Sequence, residues 1–212
     1  MSHFQKRNML FFLFMVFLVG VSYQFFDRDL AFWVHNKNFR QYPIFDMLTH
    51  IPDVMLVMVV IYCIYYSIRF ESIRNDVKHR PFRAMIISFA ITVLLKDALK
   101  IVFGRYWPET WIHNNVSLIR DHAYGFNLFH KGTAYQSFPS GHTANTAAIV
   151  TVLWVAYPRF RWVSVVLSAA VVIGLLADNY HFLSDVIAGG WLGGTVALYV
   201  SMVLEGANHE AI

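Results

Sequence analysis

Charge is scarce in this chain of 212 residues: Asp, Glu, Lys and Arg together make up 14% of it, against roughly 25% in an ordinary soluble domain. That shortage excludes a charge-extended disordered chain and a cytosolic enzyme with a solvated surface. Cysteine is almost missing as well. Cys63 stands alone inside an apolar run, so no intrachain disulfide framework holds the fold. There is no internal repeat, no low-complexity tract and no basic stripe with interleaved stacking residues, which removes repeat architectures and a nucleic-acid partner. Apolar residues fill the space left: 57% are hydrophobic and 17% aromatic, and the mean hydropathy is +0.46. An integral membrane protein follows, with the bilayer as its first partner, and the length predicts one domain spanning 1–212.

Apolar runs long enough to cross a hydrocarbon layer roughly 30 Å thick fall near 9–26, 50–68, 84–103, 141–157, 162–177 and 186–204. Lipid tolerates no unpaired backbone, and the runs lack the alternation of barrel strands, so the expectation is an all-α bundle of six spans. The first run follows Lys6 and Arg7 without a small-residue cleavage site and reads as a retained anchor rather than a secretory signal. Lys and Arg then set the orientation. Lys6, Arg7, Arg69, Arg74, Lys78, Arg80, Arg83, Arg159 and Arg161 gather on one side of the six-span layout. Arg28, Lys37, Arg40, Lys100, Arg105, Arg120 and Lys131 lie on the other. The denser side is expected in the cytoplasm with both termini, placing the chain in the cytoplasmic membrane as a multi-pass protein. The pI near 9.2 reflects that bias.

Two stretches on the outer side are not spans. In 27–45, Leu30, Trp33 and Val34 recur at i, i+3 and i+4, the spacing of a short interfacial helix, with a plain loop as the alternative. The stretch 105–138 is far longer than a usual helix connection and carries Trp107, Trp111, His113, Arg120, His122, His130 and Lys131; loops of that size tend to be functional.

Chemistry concentrates at the outer ends of spans three to six. Pro139-Ser140-Gly141-His142 opens span four. Proline limits the geometry of a helix start, serine caps it, and glycine lets the backbone approach a ligand, so free amides and the positive helix end suit an anion. His142 beside them can donate a proton to a leaving oxygen. His181 and Asp185 are four apart, one helical turn on one face, where a carboxylate accepting from Nδ1 orients the ring and frees Nε2 as a nucleophile. An ordinary capped helix, a helix-start Asp beside a surface histidine, or a pair of metal ligands would read the same way from spacing alone. Together the two histidines supply what double-displacement phosphoryl transfer needs, an attacking nitrogen and a proton for the departing oxygen.

With these residues in place the chain resembles the type-2 phosphatidic-acid phosphatase superfamily, whose motifs are K-x6-R-P, P-S-G-H and S-R-x5-H-x3-D. The second is intact as Pro139, Ser140, Gly141 and His142; His181 and Asp185 match the third; Lys100 and Pro108 match the first, with Arg105 as its frequent extra arginine. Two phosphate-clamping arginines of the family are replaced, by Trp107 and by Leu175. The resemblance implies a membrane phosphatase needing no metal and no cofactor. It would remove phosphate from a lipid-linked phosphomonoester or diphosphate at the outer or periplasmic face, with His181 as nucleophile, His142 as general acid and Asp185 orienting. Lys100, Arg105, Ser140 and Gly141 would hold the phosphate, with Arg105 expected to take over a missing clamp. Arg120, Lys131 and Trp107 would meet the head group, and Lys96 is a further candidate cation. A lipid phosphotransferase, a non-catalytic lipid-phosphate binder and a metal-dependent membrane protein are the alternatives.

Overall fold

The computed structural model describes residues 3–70, 76–111 and 113–206; Arg74 lies outside them. The described residues form helices and irregular segments, with isolated bridges in place of strands. The helices are α1 (His3–Val21), α2 (Asp27–Lys37), α3 (Pro43–Thr49), α4 (Ile51–Ile68), α5 (Arg80–Phe103), α6 (Leu118–Asp121), α7 (Gly141–Ala156), α8 (Arg161–Ala177) and α9 (Leu183–Gly206).

Each of the six apolar runs is helical. Lys6–Lys37, Pro43–Ile68, Pro158–Ala177 and Leu183–Leu204 are long and apolar enough to cross a membrane. The other two fall short for visible reasons: α7 has only 16 residues, and α5 carries Lys96, Asp97 and Lys100 in addition to Arg80 and Arg83. Helix α7 is largely interior, whereas α5 buries one face and exposes Ile87, Ile91, Leu94 and Leu95 on another. Ala84, Met85, Ser88 and Thr92 of α5 are buried, as are Ala144, Ala148, Ile149, Val150 and Val152 of α7. Their core closes with Met55 and Val59 of α4 and Ala197 and Val200 of α9. On α1, by contrast, Leu10, Phe11, Phe12, Leu13, Phe14 and Phe17 are exposed, a face suited to lipid.

The interfacial helix expected at 27–45 is corrected in two ways. α1 passes through a π-helical turn, Ser22–Phe26, directly into α2, so the first helix is continuous over Lys6–Lys37. Its buried positions are Asp27, Ala31 and Val34, while Trp33 is exposed. The wide turn shifts the inward face, and the face is set by an acidic residue that hydrophobic spacing cannot register. After a short 3₁₀ turn, α3 and α4 each begin with proline in the first turn, where its missing N–H leaves no helical bond unmade.

Glycine brings α7 and α9 together. A Cβ on Gly189 would lie 2.4 Å from the Ser140 carbonyl oxygen, and one on Gly193 would lie 2.0 Å from that of Ala144. Only glycine permits this backbone contact. It locks the starts of the two helices, and Ser140 N donates to the Asp185 carbonyl at 3.0 Å. Between α5 and α7 the chain folds back on itself. Gly104 ends α5 with φ +53, Asn127 N donates to its carbonyl at 2.7 Å, and Leu118 N donates to the Trp107 carbonyl at 2.9 Å. The long connection is therefore an ordered layer against the ends of the helices.

Candidate active site

Ser140 is the N-cap of α7, with extended backbone and an Oγ that accepts from Thr143 N at 3.4 Å and from Thr143 Oγ1 at 3.1 Å. The Gly141 and His142 amides precede any carbonyl that could accept from them within the helix, so they form the donor end of α7. The Lys96 stem lies against Gly141: its Cδ is 3.4 Å and its Nζ 3.9 Å from where a Cβ would stand. A larger residue at 141 would press on that lysine.

His142 and His181 face each other there, ring centroids 6.1 Å apart, with Tyr180 at 5.3 Å from the first and 5.4 Å from the second. Trp107 closes the far side of His181 at 5.2 Å, fixed by Nε1 donating to the Thr133 carbonyl at 2.6 Å. Lys100 Nζ stands 5.7 Å from the Trp107 ring and donates to the Gln136 carbonyl at 2.6 Å. The residue in place of a family arginine is thus an aromatic wall. Leu175, in place of the other, is fully buried with Val171 and Val186, and its carbonyl accepts from Tyr180 N at 2.8 Å.

His181 is 3% exposed. Its Nδ1 lies 3.6 Å from Asp185 Oδ2, an ion-pair distance somewhat beyond a hydrogen bond; catalytic contacts often tighten only when substrate binds. Asp185 Oδ2 accepts from Ser137 Oγ at 2.6 Å and from Phe182 N at 3.0 Å. Burial pushes the His181 imidazole below its ordinary pKa, against the opposing pull of Asp185. Neutral imidazole, the nucleophilic form, is the resting state.

Arg105 is not brought to the histidines' open side. It is fully buried behind Asp185, with one guanidinium nitrogen donating to Asp185 and to Ser184 Oγ at 2.6 Å. The other nitrogen donates to Asp27 at 2.7 Å and Tyr124 at 3.3 Å. The contacts differ from the expected clamp: the carboxylates of Asp27 and Asp185 hold the two terminal nitrogens of Arg105, and the whole side chain is buried away from the histidines' open side. Arg120 braces its own loop, pairing with Asp121 at 3.0 Å and donating to the Asn114 and Asn115 carbonyls at 3.1 Å each. Lys131 is exposed beside the turn Thr133–Tyr135. Lys100, Trp107, Ser140, Gly141, His142, His181 and Asp185 do converge. Spacing alone did not single out Asp27, Ser137, Ser184 or Tyr180; the one usable signal was an acid adjoining a long apolar run, which is costly unless paired.

Residues 81–208 match the model of the PAP2 superfamily. Lipid A 1-phosphatase of Rhizobium etli is 31% identical over 115 residues, 52% of this chain and 44% of that protein. The lipid A 1-phosphatase of Rhizobium johnstonii is 30% identical, over 52% of this chain and 42% of the relative. The matched region thus spans less than half the length of these curated relatives. The crystal structure of a transmembrane PAP2-type phosphatidylglycerolphosphate phosphatase from Bacillus subtilis superposes with a TM-score of 0.58 at 20% identity, covering 92% of this chain and 94% of that one. That likeness is one of fold.

Proposed function

The chain belongs to the PAP2 superfamily, and from that premise we propose that it hydrolyses a lipid-linked phosphomonoester or diphosphate through a phosphohistidine on His181, without metal. The observation that carries the reading is the pair of imidazoles 6.1 Å apart at the N-terminus of α7, with a carboxylate behind only one of them. Neutral His181 attacks phosphorus through Nε2 while Asp185 steadies Nδ1–H. The N–P bond forms, the bond from phosphorus to the alkoxy or phosphoryl leaving oxygen breaks, and that oxygen takes the proton of His142. In the second half, His142 accepts a proton from water, the water oxygen bonds to phosphorus, the N–P bond breaks, and inorganic phosphate leaves.

Charge on the transferring group is met by the Gly141 and His142 amides and Lys100, and Lys96, which lies beside Gly141 and pairs with the exposed Asp97 at 2.6 Å, is the cation that would exchange that partner for phosphate in the place assigned from sequence to Arg105. Trp107 and Tyr180 wall the site beside the two histidines. Both oxygens of Asp185 already accept from protein donors, which favours an orienting role over metal ligation. A site at the mouth of apolar helices suits an amphiphile whose tail stays in lipid. The curated relatives make a lipid A-type 1-phosphate the first substrate to test, with phosphatidylglycerol phosphate and isoprenyl diphosphate beside it. The reading includes the six-span layout, a site on the outer face of the cytoplasmic membrane and both termini in the cytoplasm. Phosphate release by purified protein from these lipids, with EDTA throughout, tests it. Release from at least one is expected; release that appears only when a divalent metal is restored would overturn the metal-free mechanism.

A further inference from the structure

We propose that Asp27 is a positioning residue for the active site, so that the first helix, which precedes the 81–208 family region, completes the catalytic apparatus. This rests on the phosphohistidine reading above. Asp27 is 1% exposed at the point where the π-helical turn Ser22–Phe26 gives way to α2. π-Turns within α-helices concentrate at functional sites, because the extra residue re-aims the side chains that follow. Here the turn directs two groups at one target. Tyr23 stacks on Tyr124 with centroids 4.9 Å apart, and its ring lies 5.1 Å from the Arg105 guanidinium carbon. Asp27, one turn later, accepts from Arg105 at 2.7 Å, from Ser184 N at 2.9 Å and from Ser184 Oγ.

The arrangement is a buried line of alternating charge, Asp27, Arg105, Asp185, ending on His181. Arg105 is 0% exposed and lies among Tyr23, Tyr124, Phe126 and Phe182, each ring within 5.5 Å of its guanidinium carbon. Out of water, a single cation beside Asp185 would hold that carboxylate's charge to itself and weaken its pull on the imidazole. A second carboxylate on the other edge of the guanidinium divides the attraction. Asp185 then keeps the negative potential that orients His181 and stabilises the imidazolium character it gains on attack. Ser184 adds geometry: its hydroxyl contacts both Arg105 and Asp27, and its amide donates to Asp27. The charged and titratable groups facing His181 are Asp185 of α9, Lys100 of α5, His142 of α7 and Tyr180 of its own turn, with Arg105 and Asp27 behind Asp185.

Two variants separate positioning from mere packing. Asp27→Asn keeps shape and an acceptor but removes the charge, so Arg105 bears on Asp185 alone. Asp27→Asn combined with Arg105→Gln removes both charges and releases Asp185. The His181 imidazole is followed directly by NMR of ring-labelled histidine in detergent-solubilised protein, assigned with His181→Gln. Its titration midpoint is expected to fall by about half a unit or more in the single variant and to return to or above the wild-type value in the double variant. In phosphatase assays kcat should fall about tenfold or more in the single variant with KM little changed, and the acidic limb of the pH profile should move with the NMR midpoint. A His181 midpoint that is the same in all three proteins overturns the proposal, as does a double variant displaced further in the same direction as the single one. The titration is read without turnover. Absence of phosphatase activity in the wild type would count against the enzymatic reading and leave the coupling measurable.

Discussion

Replacing Arg105 with alanine distinguishes a phosphate clamp from a buried structural cation, because the two roles predict losses in different quantities. A clamp facing substrate would be missed mainly by the Michaelis complex and transition state, and the empty protein would melt normally. In this structure the guanidinium is fully buried and bridges two fully buried carboxylates, Asp27 and Asp185. Arg105→Ala leaves both without a counter-ion. Breaking a buried ion pair from one side costs about 3–5 kcal/mol, and for a protein of this size each kcal/mol moves the melting midpoint by about 2–4 °C. A fall of roughly 6–20 °C is expected, accompanied by lost activity as His181 loses its orientation. Arg105→Lys should recover part of the stability, since an ammonium supplies the charge but not the two-edged fork. Thermal unfolding in detergent, read by intrinsic fluorescence without substrate, measures the effect. A variant that melts like the wild type while its KM rises at least tenfold would refute the structural assignment and restore Arg105 to the phosphate.

The two histidines should fail differently: His142→Ala is expected to recover much of its rate on an aryl phosphate whose leaving group needs no proton, whereas His181→Ala recovers none, as paired kinetics will show. Because burial holds the His181 pKa below its ordinary value, the acid limb of kcat/KM should lie below pH 6.5, and a separate alkaline limb should appear as His142 loses the proton it donates. The same depressed pKa means that stability is fully present above about pH 6.5, the unfolded value, and declines as pH falls toward the folded one; chemical unfolding at graded pH checks the sign. For topology, single cysteines at Asn114 and Lys78 in a Cys63→Ala background should be labelled by an impermeant thiol reagent in intact cells at the first position and not at the second, and the reverse pattern would invert the orientation.

The helices were legible because a membrane imposes a simple rule, and apolar runs had to become helices. The Pro139–His142 cluster and the His181–Asp185 pair were legible because both are local: a helix start and one helical turn carry their own geometry. What sequence spacing could not supply was direction. Arg105 sits five residues beyond Lys100 and looked like a substitute clamp, yet its partners are Asp27 and Asp185, remote in sequence and joined to it by α1–α2 packing and the start of α9. The π-turn at Ser22–Phe26 has no apolar signature, so spacing shows a helix carrying Val34 but not that α2 continues α1 or that Asp27 and Ala31 share its buried face. Position along the chain offers Trp107 to the head group but does not show that its ring also lies against His181. The connection between α5 and α7 is held by scattered backbone bonds and isolated bridges, for which periodicity has no template.

Rapid-quench trapping of the enzyme during turnover of a phosphorus-32-labelled lipid phosphate tests the central claim most directly. The account predicts an acid-labile, base-stable phosphoprotein that maps to His181, accumulates in His142→Ala with a substrate of poor leaving group only as slowly as product forms, and is absent from His181→Ala. Full activity of His181→Ala on the same lipid, or a trapped phosphate on any other side chain, would contradict it.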